Sequence, residues 1–205
     1  MKMTALMKAA VAGGIMMALG AGAANAQACE ETQFSSVNAE LYLKAETEFI
    51  TNDNNQAALG FLRQLQQAEL NCYEDSAAQR LSAAIKIDSG DFAGAARDFE
   101  RMLASGIIPA KDRTKTLYDI SQIYLNADNQ PKALEYLSKW IQAGGQANRD
   151  TKWQLAVLNY QQDRNTEALR WAEQVFREDG PNASHQVYDF LILLYDRTNQ
   201  LGKKA

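Results

Sequence analysis

The 205-residue sequence has very little histidine, cysteine or proline, and each scarcity excludes a class of protein. Its single histidine, His185, excludes mechanisms that need a histidine cluster or a His-rich metal site. The three prolines, the sparse β-branched residues and the lack of period-two alternation leave almost no strand signal after Val37. The formal net charge of −4 makes the chain a poor candidate for nucleic-acid binding. An ordinary globular composition remains, 46% hydrophobic and 22% charged.

The first 26 residues differ from the rest. Two lysines precede an uncharged Ala/Gly/Met/Leu run that ends in Ala24-Asn25-Ala26. This order is typical of a secretory signal peptide over residues 1–26, cleaved before Gln27. A retained membrane helix is the weaker interpretation, because the apolar stretch is short and rich in Gly and Ala. We therefore expect an exported, periplasmic protein.

Two cysteines remain in the expected mature chain, Cys29 and Cys72. In an oxidising compartment such a pair predicts a disulfide, which would tether an N-terminal segment, residues 27–36. Closing a loop of 43 residues would stabilise the fold by about 4 kcal/mol in the chain-entropy model. The alternative is a lipid-acylated Cys29, although the preceding residues Ala26-Gln27-Ala28 lack the usual leucine.

No motif for catalysis is present. A Gly-rich phosphate loop, a nucleophile elbow and a Cys/His metal spacing are all missing from the sequence. The carboxylates fall on amphipathic segments, where a solvated face is the ordinary role. We therefore predict no enzyme, no catalytic residue, no metal and no cofactor.

The sequence repeats a helix-hairpin pattern. Short polar turns separate runs with three- and four-residue apolar spacing. Each of four turns is followed by a small residue that starts the next apolar stripe: Ala58, Ala95, Ala133 and Ala168, at steps of 37, 38 and 35 residues. Repeats of this length predict an all-α solenoid over residues 37–205, with about four hairpins and a terminal helix.

The third unit is the clearest. It runs Leu117, Ile120, Ser121, Tyr124, Ala133, Leu137, Trp140. This resembles the tetratricopeptide repeat, in which small residues let the two helices of a hairpin approach closely and an aromatic fills the gap beside them. The fourth unit follows at the same spacing, whereas the first two match more loosely.

The likeness extends to one group of such proteins. The stretches 116–124 and 131–140, with Leu155-Ala156 and Glu167-Ala168-Leu169, are similar to periplasmic tetratricopeptide proteins associated with TonB–ExbB–ExbD transport systems. The resemblance implies an accessory of outer-membrane uptake that binds TonB, ExbB, ExbD or a receptor. Alternatives are an adaptor for a Tol-type or outer-membrane assembly system, and a self-associating structural unit.

On this architecture a protein or peptide partner would bind the concave surface, which the first helices of successive hairpins line. The residues expected there are Tyr118, Gln122, Leu125, Trp153, Val157, Tyr160 and Tyr188. Aromatic anchors among amides are the expected composition of such a groove. The alternative is that several are core residues, although we expect Tyr118 and Trp153 to be exposed. For Trp140 and Trp171, on second helices, we expect burial.

The last predicted helix is apolar nearly all round, from Tyr188 to Tyr195. Without a following helix, one side of it stays exposed. The helix either folds back on its neighbour, or pairs with a second copy or with a partner. A truncated chain would give the same pattern.

Overall fold

The structure is a computed structural model and describes residues 33–199. This part of the chain is all-α, as predicted, with nine α-helices and no strand. The helices are α1 Ser36–Ile50, α2 Asn55–Leu65, α3 Cys72–Asp88, α4 Phe92–Ala104, α5 Ala110–Asn126, α6 Gln130–Gln142, α7 Arg149–Gln161, α8 Asn165–Asp179 and α9 His185–Arg197. A short 3₁₀ turn, Gly180–Asn182, precedes α9. The predicted signal peptide and Cys29 lie outside the described residues.

The chain divides into two compact units, and the division falls between Ala127 and Asp128. Helices α1 to α5 belong to the first unit and α6 to α9 to the second. The sequence predicts one continuous solenoid over residues 37–205, and its third hairpin, α5 with α6, spans the boundary. Each unit is therefore described by itself.

The turn that follows each of α1, α3, α5, α7 and α9 contains a residue with a left-handed backbone. One residue in each turn has a left-handed φ between 53° and 84°: Asp53, Gly90, Asp128, Asp163 and Asn199. They follow one another at steps of 37, 38, 35 and 36 residues. Asp, Asn and Gly are the residues that tolerate this conformation best. A left-handed residue therefore follows the helix end by two residues in four turns and by three in the turn after α1, at the spacing of the sequence repeat.

Helix starts follow directly from these turns. In the four cases where the next helix is described, the residue after the left-handed position is its N-cap, and Asn54, Asp91 and Asn129 each accept a hydrogen bond from the backbone N–H three residues on. Such caps satisfy N–H groups that a helix leaves unpaired. Pro131 stands in the first turn of α6, where its missing N–H costs nothing.

The small residues of the repeat are fully buried. Ala58, Ala95, Ala133 and Ala168 are each 0% exposed. In the first unit Ala58 and Leu62 of α2 share a core with Ala45 and Phe49 of α1, and α3 completes it with Leu81 and other apolar residues. A bulkier side chain at any of the four alanines would push its neighbours apart.

In the second unit, α8 packs against both α7 and α9. Buried apolar residues come from all three helices: Leu155, Ala156 and Leu158 of α7, Ala168, Ala172 and Val175 of α8, and Val187, Leu191 and Leu194 of α9. Arg149 at the start of α7 donates two hydrogen bonds to Asp179 at the end of α8, at 3.0 and 2.8 Å. The first helical turn of α7 is thereby fixed to the last turn of α8.

Candidate binding surface

Positions on the first helices can be compared by counting back from the left-handed residue that follows each helix. Tyr118 and Trp153 both lie ten residues before it, on α5 and α7. Two further pairs share a position: Gln122 with Val157 at six residues, and Leu125 with Tyr160 at three. Six of the seven predicted contact residues thus occupy three repeated positions, one set in each unit.

The three residues of the first unit line one side of α5. Tyr118, Gln122 and Leu125 are all half-buried. The Gln122 side-chain amide donates a 3.3 Å hydrogen bond to the Ser121 hydroxyl, and the Gln122 backbone carbonyl accepts one of 2.9 Å from the Asn126 side-chain amide. Tyr118, which the sequence argument expected to be exposed, is thus half-buried and only partly accessible.

The residues of the second unit form an aromatic group with a residue that the sequence argument did not single out. Phe190 of α9 contacts Trp153 edge-to-face, with ring centroids 5.2 Å apart, and contacts Tyr160 at 5.4 Å. Such contacts contribute about 0.5–1.5 kcal/mol each beyond burial of area. Trp153 is half-buried rather than exposed, so part of its ring holds α7 to α9. Val157, also half-buried, lies between Trp153 and Tyr160 along α7.

Tyr188 does not join this group. It lies eleven residues before Asn199, and its ring contacts Phe176 of α8 edge-to-face at 5.2 Å. Tyr188 as a whole residue is 41% exposed. Because Phe190 contacts α7 while Tyr188 contacts α8, the two side chains leave α9 on different sides.

The two remaining tryptophans are core residues, as predicted. Trp140 is 9% and Trp171 is 8% exposed. The Arg170 guanidinium lies 4.6 Å from the Trp171 ring centroid, a cation–π contact.

The charged groups of the second unit are arranged for structure. A hydrogen bond from Arg149 holds the pKa of Asp179 below its ordinary value, against the opposing effect of burial. A hydrogen bond from Lys139 is the main cause that lowers the pKa of Glu135, and Lys132 adds to it. Glu135 and both lysines line a shallow cleft of about 520 Å³ with Gln162 and Arg164. Within this cleft the Glu135 carboxylate forms ion pairs with Lys139 at 2.6 Å and with Lys132 at 3.1 Å.

The described residues contain no group of three or more His, Cys, Asp or Glu side chains placed to hold a metal ion. None of their helices is both long and apolar enough to cross a bilayer. The predicted contact positions on α5 and α7 carry partly exposed aromatic and aliphatic side chains.

No protein-family model matches the chain. Curated protein sequences likewise give no significant match.

Proposed function

We propose that this protein is an exported tetratricopeptide-type scaffold that binds a protein or peptide through the first helices of its hairpins. The observation that carries the proposal is the repeated turn, with left-handed residues at steps of 37, 38, 35 and 36 residues. Helix hairpins that recur at this length stack into arrays, and such arrays present extended binding surfaces.

Two features support binding on the first-helix side. The predicted contact residues occupy the same three positions on both helices, and each keeps part of its surface accessible. They are Tyr118, Gln122 and Leu125 of α5 and Trp153, Val157 and Tyr160 of α7. Partly exposed aromatic rings on a rigid helix bind partners well, because little conformational entropy is lost.

The partner we propose belongs to a TonB-dependent uptake system in the periplasm. The sequence resemblance to accessory proteins of those systems and the signal-like residues 1–26 support this assignment. The disulfide from Cys29 to Cys72 forms part of the same proposal. Cys72 begins α3, and Gln33 is held beside it, because the Gln33 carbonyl accepts a 3.3 Å hydrogen bond from Asn71. The four-residue step from Cys29 to Gln33 spans at most about 14 Å of extended chain.

The test is affinity capture from cross-linked membranes, with bound proteins identified by mass spectrometry. We expect the protein to recover TonB, ExbB, ExbD or an outer-membrane receptor, and Val157→Glu to lose that recovery. Val157 is the appropriate site because it lies on the proposed surface and makes none of the Phe190 ring contacts.

Glu167→Lys, an exposed change on the second helix α8, is the matched control. Glu167→Lys should keep the helicity and melting temperature of the parent within the small range expected of surface changes. Because Val157 is half-buried, capture with Val157→Glu is compared at a temperature at which circular dichroism shows the variant to be folded. Recovery of Tol or outer-membrane assembly components would support the alternative adaptor. Equal recovery by Val157→Glu and by the control would contradict the proposed surface.

A further inference from the structure

Large hydrophobic side chains are exposed only at the two ends of the described part of the chain. The four are Val37 and Leu43 on α1, at 72% and 57%, and Tyr188 and Ile192 on α9, at 41% and 47%. Exposed apolar side chains that cluster on particular helices mark interaction surfaces. On α9 the two residues lie one helical turn apart on the same side, whereas Val37 and Leu43 lie on different sides of α1.

The position of Ile192 shows that its face is covered in other helices of the same kind. Ile192 lies seven residues before the left-handed Asn199. In α3, α5 and α7 the residue seven before the turn is Ala83, Ser121 and Ala156 respectively, and each is 0% exposed, whereas in α1 it is the half-buried Glu46. Of these five helices only α9 has a large apolar side chain at this position, and that side chain remains accessible.

The contact between α7 and α9 shows how one first helix packs on the next. Phe190, nine residues before its turn, sits against Trp153 and Tyr160, which lie ten and three residues before theirs. On α9 the positions of Trp153 and Tyr160 are occupied by Asp189 and Asp196, both exposed. On α1 the position of Phe190 is occupied by Lys44.

We propose that a second copy of this chain covers the exposed face of α9 with its α1 helix, placing Lys44 between Asp189 and Asp196. Ile192 lies three residues after Asp189 and four before Asp196, so it sits between the two carboxylates on the helix surface. Val37 lies two turns before Lys44 on the same side of α1 and extends the apolar part of the contact.

The charges favour a head-to-tail contact, with α1 of one copy on α9 of another, over a symmetric contact between two α9 helices. Two α9 helices facing each other would bring Asp189 and Asp196 against the same carboxylates of the other copy, which is unfavourable. A contact between different faces of identical molecules leaves one free face at each end, so it propagates into rings or filaments. The association is independent of the uptake function proposed above.

The association is expected to be weak, because Lys44 already has a partner. Its ammonium donates a 2.7 Å hydrogen bond to Glu40, one turn earlier on α1, and both side chains are exposed. Glu40→Gln removes this competition, so it should strengthen self-association rather than weaken it. Exposed ion pairs are screened by salt, so association should also fall as the salt concentration rises.

The experiment is sedimentation velocity over a wide concentration range, on the purified protein with its N-terminus defined by intact mass. We expect the parent to form larger species as concentration rises. Lys44→Glu and the double variant Asp189→Lys/Asp196→Lys should each weaken association by at least about tenfold. Combining all three changes in one chain should restore it, because the charges again complement each other.

Lys115→Glu is the control, since Lys115 is an exposed lysine in a similar helical pair with Asp119. It should associate like the parent, and circular dichroism should show that every variant keeps its helicity. A parent that stays monomeric at the highest concentration reached would overturn the proposal. So would self-association of Lys44→Glu equal to that of the parent, which would place the contact elsewhere, or a combined variant that stays monomeric.

Discussion

Replacing the buried carboxylate of Glu74 by an amide should destabilise the first unit strongly. Glu74 is 1% exposed and accepts three hydrogen bonds, from the Ser35 backbone at 2.7 Å, the Asn38 amide at 2.9 Å and the Asn71 backbone at 3.0 Å. Its own N–H donates to the Asn71 side chain at 2.9 Å, which completes a capping box at the start of α3. One side chain therefore joins the start of α1 to the start of α3.

Glu74→Gln keeps the size of the side chain but removes the charge and turns an acceptor into a donor. At least one of the three N–H groups then faces another donor in a buried site. Hydrogen bonds to a charged group contribute about 1.5–3 kcal/mol, and an unsatisfied buried donor costs about 1–3 kcal/mol. We expect the free energy of unfolding to fall by about 2–3 kcal/mol. Urea unfolding followed by far-UV circular dichroism measures this.

The effect should depend on pH in a defined direction. Burial raises the pKa of Glu74, but the hydrogen bonds from Ser35, Asn71 and Asn38 outweigh it and bring the pKa below its ordinary value. The folded protein then binds fewer protons than the unfolded chain, so stability rises with pH. The contribution is fully present above the unfolded pKa of about 4.3. It is lost as the pH falls through the lower folded value, and the gap between Glu74→Gln and the parent should narrow there.

Glu69→Gln provides the control, because Glu69 is exposed and only its backbone carbonyl contacts Asn38. It should change stability by no more than about 0.5 kcal/mol. A Glu74→Gln variant as stable as Glu69→Gln would refute the reasoning, and so would a difference from the parent that does not change with pH.

Three further changes test other parts of the structure. Phe190→Ala removes both ring contacts between α7 and α9 and should lower the free energy of unfolding by about 2 kcal/mol. Tryptophan fluorescence during urea unfolding measures this, since all three tryptophans lie in the second unit; an unchanged free energy would show that the contacts do not stabilise it. Ala168→Leu overpacks a fully buried site and should lower the free energy of unfolding by about 1–3 kcal/mol, whereas Glu167→Leu at the neighbouring position should leave it nearly unchanged. Equal melting temperatures for these two variants would contradict close packing around Ala168. Reductant should lower the melting temperature of the parent but leave that of Cys72→Ser unchanged, because breaking the disulfide removes up to about 4 kcal/mol from the free energy of unfolding of the parent. A parent whose melting temperature does not respond to reductant, or free thiols in the native protein, would rule out the disulfide.

The turns and the small buried residues were predictable from the sequence, because each depends on local chemistry. Asp128 and Asp163 adopt a left-handed backbone conformation that few residue types tolerate. Polar residues of this kind, repeated at a fixed spacing, therefore indicate the turns. Ala133 and Ala168 mark the apolar stripe by helical periodicity alone. Burial of Trp140 followed from the same stripe.

The composition of the surface was less predictable, because it depends on how neighbouring helices cross. Trp153 was expected to be exposed, yet Phe190, 37 residues later in the sequence, covers part of its ring. Tyr188 was predicted to lie on the same surface as Trp153, but it lies eleven residues before its turn and Trp153 only ten. A shift of one residue rotates the direction of a helical side chain by about 100°. The polar turn at residues 198–200 was predicted, and the left-handed φ of Asn199 supplies the reference position from which this difference is counted.

The buried carboxylate of Glu74 was missed although part of its signal is in the sequence. Asn71 followed by Glu74 is the spacing of a capping box. The hydrogen bond from Asn38, 36 residues earlier, has no such signature, since it requires α1 and α3 to begin side by side.

Site-specific photo-cross-linking in living cells tests the proposed binding surface most directly. A photoreactive amino acid is placed at Val157 on α7, and in a matched strain at Glu167 on α8, and the covalent products are identified by mass spectrometry. We predict a product with a TonB-system protein or an outer-membrane receptor from position 157 and none from position 167. Products from both positions alike, or no product from position 157 while the protein is folded and abundant, would contradict a partner bound on the first-helix face.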